Sequence, residues 1–124
     1  MNLTANFKRQ EFDCKDGTAV PKKFYSNLQE LANNLQVLRD HIGVGVTVTG
    51  SGYRSPAHNK AVGGVANSQH LTASAADINA AGYTPKKLGA VIETLIASGK
   101  MKQGGVGVYK GFVHYDIRGT KARW

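Results

Sequence analysis

His70, Asp77 and His114 are the residues of this chain best suited to hold a metal ion. His70 and Asp77 lie in Ser68-Gln69-His70-Leu71-Thr72-Ala73-Ser74-Ala75-Ala76-Asp77, and His114 in Phe112-Val113-His114-Tyr115-Asp116. Zinc favours imidazole nitrogen and carboxylate oxygen, and a catalytic zinc keeps three protein ligands and one open position. Asp77 sits among small and apolar residues, where an unpartnered carboxylate is costly to bury. His114 is embedded in apolar and aromatic neighbours in the same way. A lone histidine in a short chain is nevertheless more often structural than a ligand. Types and spacing alone leave a metal site and a set of structural polar residues about equally open.

The elements that must position these residues are readable from periodicity. Phe24, Leu28, Leu31, Leu35, Leu38 and Ile42 recur in steps of four and three, the stripe of one helical face. The spacing predicts a helix from near Pro21 to a stop at Gly43. Val44 to Thr49 is rich in β-branched residues and predicts a strand. Gly50-Ser51-Gly52 forces a turn that presents Tyr53 and Arg54. Ser55-Pro56 predicts the N-cap and first turn of a short helix reaching about Val62 and ending at Gly63-Gly64. Residues 63–69 read as a loop, and Ser74 to Asn79 as a strand.

Thr84-Pro85 caps a second long helix, striped by Leu88, Val91, Ile92, Leu95 and Ile96 and ended by Gly99. Strands at Gly105 to Tyr109 and Phe112 to Ile117 follow, joined by a hairpin turn at Lys110-Gly111. Residues 1–19 read as polar and irregular, and the Trp124 indole is expected to pack back on the fold. The order α-β-α-β-α-β-β predicts one α+β domain over residues 1–124, with helices against a small antiparallel sheet. His114 and Asp116, two apart, share a strand face. The seven-residue step from His70 to Asp77 fits one face only if His70 enters from a turn before the strand. A His114 strand beside the Asp77 strand would then gather all four polar groups.

The 124 residues, 41% of them hydrophobic, suffice for one core. No run approaches the ~18–20 apolar residues of a membrane span. The N-terminal residues lack the apolar stretch of a secretion signal, so the chain reads as made in the cytoplasm. Sixteen Lys and Arg against eight Asp and Glu give a net charge of +8. Such a surface attracts polyanions: nucleic acid, anionic lipid or anionic cell-wall polymer. No basic helix with interleaved aromatics favours nucleic acid, which is not the expected partner. Cys14, the only cysteine, can make neither an internal disulfide nor a C-x-x-C pair. It reads as a buried or incidental thiol, with nothing near it in sequence to make it a metal ligand.

Residues 50–79 resemble the signature of the zinc D-alanyl-D-alanine carboxypeptidase family. That family includes vancomycin-resistance D,D-dipeptidases, phage L-alanyl-D-glutamate endopeptidases and, by fold, the hedgehog signalling domain. Its pattern S-x-H-x-x-G-x-A-x-D is matched by Ser68, His70, Ala75 and Asp77, with Ala73 where the family has glycine. Ser51-Gly52-Tyr53-Arg54-Ser55 is similar to its S-G-Y-R-[ST] element, and Arg54 precedes His70 by the family's sixteen residues. Gly105 to Tyr109 with Phe112 to Arg118 resembles a subgroup found in phage lysins and small cell-wall peptidases.

The resemblance implies a hedgehog/DD-peptidase-like fold and a Zn2+ cofactor held by His70, Asp77 and His114. It implies hydrolysis of amide bonds in peptidoglycan stem peptides at the cell wall or periplasm. The absent signal fits a phage-encoded or virion-borne enzyme and favours endopeptidase over D,D-carboxypeptidase. Zinc would polarise the scissile carbonyl and acidify its water. Arg54 would bind a substrate carboxylate or the developing oxyanion. Ser68 would orient the site, and Tyr109 would stabilise the oxyanion or simply pack. Many members carry Glu or Asp three residues before the third histidine, where this chain has Gly111. Asp116 is the nearest substitute, either as general base or as the group that fixes a ligand histidine's tautomer. The missing acid also motivates an alternative: a zinc-containing cell-wall-binding or virion module without catalysis.

Overall fold

Five strands form one sheet in the computed structural model, which describes residues 1–124. Helix α1, Tyr25–Ile42, follows a 3-10 turn at Lys22–Phe24 and stops at Gly43, whose φ of 70° is left-handed. Its leucines 28, 31, 35 and 38 are fully buried. Each stabilises the fold by roughly 1.5–3 kcal/mol. Strand β1 is Val46–Val48 and β2 is Ala75–Ala80. Helix α2, Pro56–Ala61, begins where the Ser55 hydroxyl accepts from the His58 N–H. Helix α3, Pro85–Ala97, is capped likewise by Thr84. Strands β3, Gly105–Val108, and β4, Val113–Asp116, complete the expected set.

The order across the sheet is β1-β2-β4-β3-β5. All neighbours are antiparallel except β5, Ala122–Arg123, which runs parallel to β3. The α+β expectation stands, with this short fifth strand added. Only two residues long, β5 carries no periodic signal of its own.

Residues 1–19 differ from the irregular polar segment expected. They contain a 3-10 turn at Arg9–Phe12 and bury Phe7, Phe12 and Cys14 in the same apolar cluster as α1, α3 and the sheet. Apolar residues spaced by five and two match neither the helical nor the strand period, so the pattern was invisible. No helix is long and apolar enough to cross a membrane.

Candidate metal centre

The β2–β4 register places Asp77 directly opposite His114. His70 reaches the same point from a 3-10 turn, Gln69–Thr72, that precedes β2. Three features build that turn. The Ser68 hydroxyl accepts from the His70 N–H at 3.2 Å. The backbone N–H of Arg54 donates to the His70 carbonyl at 3.0 Å. Ala73 ends the turn with φ 56°, the only non-glycine residue of the chain with positive φ. This is the position where glycine was expected from the family pattern, and the left-handed backbone explains why.

Asp77 Oδ1 lies 3.4 Å from His70 Nε2 and 3.4 Å from His114 Nδ1. All three residues are buried, and their ligand atoms converge within 4.8 Å. Donors bound to one tetrahedral zinc at ~2.0–2.1 Å stand about 3.4 Å apart. The donor set and these spacings therefore fit zinc. Gly50 is required beside them, because a Cβ there would stand 2.7 Å from the Asp77 Cβ.

Both imidazoles are oriented from behind. The Gly52 carbonyl, 2.7 Å from His70 Nδ1, can only accept, so Nδ1 carries a proton and Nε2 is the nitrogen that faces Asp77. The Asp116 carboxylate, 2.7 Å from His114 Nε2, does the same for His114 and frees Nδ1. Asp116 is fully buried and saturated. It accepts from the Gly105 and Arg118 N–H groups and from two guanidinium nitrogens of Arg118. Gly105 has no room for a side chain, since its Cβ would collide with this carboxylate. Both roles open to Asp116 in the sequence need a carboxylate beside His114, and it stands there. Its oxygens face His114 and Arg118 and do not line the cleft.

The electrostatics follow from these contacts. Burial alone would raise the Asp77 carboxyl, but hydrogen bonds with His114 and His70 outweigh it and hold it well below the usual carboxylate range. Asp116 is depressed likewise, its burial outweighed by His114, Arg118 and two backbone N–H groups. For His114, burial opposes the charged ring, but hydrogen bonds to Asp116 and Asp77 prevail and raise its pKa.

The cluster opens into a cleft of about 440 Å³, also lined by Arg54, Ser68, Gln69, Tyr109 and Trp124. A more apolar groove of about 620 Å³, lined by Phe24, Tyr53 and Leu71, holds none of the cluster. Arg54 donates to Ser51 Oγ at 2.9 Å and Asn59 Oδ1 at 3.3 Å, and its Nη2 lies 3.8 Å from Asp77 Oδ2. Tyr109 is half exposed and stacks on Phe112 at 4.6 Å between ring centroids. Its hydroxyl accepts from the Trp124 indole N–H.

The family profile of peptidase M15 matches residues 3–116. The chain belongs to the peptidase M15 family. Family membership makes it a zinc-dependent metallopeptidase by class. No curated protein matches it as a relative.

Trp124 lies beyond the matched residues of this M15 peptidase yet forms a wall of its cleft. The indole sits 4.8 Å from the His114 ring and under the Arg118 guanidinium at 5.5 Å. A Cβ at Gly107 would stand 2.5 Å from its Nε1. The indole was expected to pack back on the fold, but no local signal places it on His114. That placement comes from β5 pairing with β3.

Proposed function

We propose that this M15 peptidase hydrolyses amide bonds in peptidoglycan stem peptides, with zinc held by His70, Asp77 and His114. The observation that carries the reading is the pairing of Asp77 with His114 across β2 and β4, with His70 completing a spacing suited to zinc. Zinc in such a site supplies Lewis acidity, polarising a peptide carbonyl and acidifying a water nucleophile.

The chain's own residues do the rest. Gly52 and Asp116 hold the two imidazoles in their ligating tautomers. Arg54, at the cleft edge, binds a substrate carboxylate through its planar fork. Stem peptides offer such carboxylates along the chain and at its end. Ser68 fixes the turn that carries His70. Tyr109 accepts from Trp124, which leaves its own O–H free to donate to an oxyanion. The +8 charge suits an anionic wall, whose polymers are the proposed partners. The proposed place of action is the cell wall. Endopeptidase action is proposed ahead of D,D-carboxypeptidase action.

One observation favours a second reading, a zinc-containing module without catalysis. Asp77 is the only Asp or Glu that lines the cleft, and Gly111 replaces the acid of many family members. Mass spectrometry of defined peptidoglycan treated with the zinc-loaded protein separates the readings. Cleavage at an internal stem-peptide amide, stopped by chelator and restored by zinc, is expected. Release of terminal D-alanine alone would make it a carboxypeptidase. No chelator-sensitive cleavage would leave the non-catalytic module.

A further inference from the structure

A second group of metal-ligating side chains lies outside the cleft. Cys14, Asp16 and His58 bring a thiol sulfur, a carboxylate oxygen and an imidazole nitrogen within 4.8 Å of one another. Cys14 and Asp16 belong to a tight loop in which the Cys14 N–H donates to the Thr18 carbonyl at 2.9 Å. His58 belongs to the first turn of α2. The chain thus brings three different donor types together from two separate segments. No hydrogen bond within the chain engages the His58 ring; only its backbone N–H and carbonyl are bonded, to Ser55 Oγ and the Val62 N–H.

Ser55 organises the group. Its backbone N–H points at Cys14 Sγ from 3.4 Å. Its hydroxyl donates to Asp16 Oδ2 at 2.6 Å. Ser55 thus contacts two of the three donors, as supporting residues do around bound metals. Hydrogen bonds from Ser55, and then from Thr18 and Cys14, hold the Asp16 carboxyl below its ordinary range. Sulfur, imidazole and carboxylate together select a borderline transition ion over magnesium or calcium.

We infer that Cys14, Asp16 and His58 form a second site for a zinc-like divalent cation, held through the Cys14 thiolate. Binding replaces the thiol S–H bond by a sulfur–metal bond and releases the proton to solvent. Zinc donors stand about 3.3–3.8 Å apart, so donors up to 4.8 Å apart close by at most about 1.5 Å. Cys14 is buried and fixed, whereas Asp16 is exposed and His58 half exposed, so the latter two can move. The cation would tie the N-terminal segment to α2. That helix supplies Asn59, which accepts from Arg54 and holds the cleft-rim loop through the Val65 carbonyl. The site does not depend on the peptidase reading.

Cobalt(II) distinguishes the two sites, because only a thiolate gives an intense near-ultraviolet charge-transfer band, and Cys14 is the only cysteine. Wild-type protein should bind two cobalt ions per chain and show that band. His58→Ala should bind one and lose the band at the same free cobalt. His70→Ala should also bind one, yet keep the band. Circular dichroism checks that each variant is folded. Wild-type protein with saturating cobalt and no band overturns the inference. So does a band that survives unchanged in His58→Ala, or one that disappears in folded His70→Ala.

Discussion

The two ligand clusters differ in what holds them. His70, Asp77 and His114 are buried, and two of the three face each other across a strand pair. Each histidine has one ring nitrogen already committed, to Gly52 or to Asp116. Cys14, Asp16 and His58 sit on a loop and the first turn of a short helix, and only Cys14 is buried. In the cleft Asp77 Oδ1 stands 3.4 Å from a ring nitrogen of each histidine, whereas two of the three outer donors are on side chains open to solvent. Preorganisation of this kind is characteristic of sites that do chemistry, since it avoids reorganisation during reaction. The difference accords with the catalytic role proposed for the cleft and the clamping role proposed for the outer site.

The largest expected effect comes from removing the shared carboxylate. Asp77→Ala should lose the cleft metal and reduce stem-peptide cleavage to background, while the cobalt–thiolate band persists. Elemental analysis with activity assays checks both. Retention of the cleft metal would break the ligand assignment.

Asp116→Asn comes next and sharpens the contrast between holding and reacting. Loss of a supporting carboxylate behind a ligand histidine costs about 10–100-fold in metal affinity or activity. Zinc affinity should fall by that amount, and excess zinc should restore most of the turnover. Lost turnover with zinc fully bound would make Asp116 the base instead.

The pH dependence separates protonation from metal binding. In zinc-free protein, Asp77 and Asp116 have depressed pKa values. Their contribution is present above about pH 4 and is lost as pH falls through their folded-state values. His114 is raised, so its contribution is present below about pH 6.5 and fades as pH rises through its folded-state value. Zinc needs neutral imidazoles, so the Tm increase on adding zinc should grow from pH 5 to pH 8. Calorimetry with and without zinc tests this, and a Tm increase that shrinks with pH would contradict it.

Ala73→Gly has the smallest expected effect. Relief of a left-handed alanine is worth ~1–2 kcal/mol. Loss of its buried methyl costs about 0.8 kcal/mol, and glycine's greater unfolded freedom costs roughly 0.4–1 kcal/mol. Stability should change by less than about 1 kcal/mol in denaturant titration. A larger loss would show that the Ala73 side chain, not the backbone turn, matters to His70.

Much of this was legible in the sequence because its signals are local. The leucine stripe of α1 and the Ser55 and Thr84 caps each depend on near neighbours. The shared face of His114 and Asp116 was readable for the same reason. What stayed hidden needed long-range pairing. Two amino acids of β5 carry no period, yet they place Trp124 on His114. Nothing near Cys14 in the chain announces His58, forty-four residues away. The contacts of Arg118 and Gly105 with the Asp116 oxygens, on which its proposed positioning role rests, require the folded β3–β4 pair.

Anomalous diffraction at the zinc edge from zinc-loaded crystals tests the central claim most directly. A peak bonded to His70 Nε2, Asp77 Oδ1 and His114 Nδ1, with Asp116 on the far side of His114, is the predicted result. No peak among those three atoms in fully loaded crystals, or zinc bound through His114 Nε2, would contradict the account.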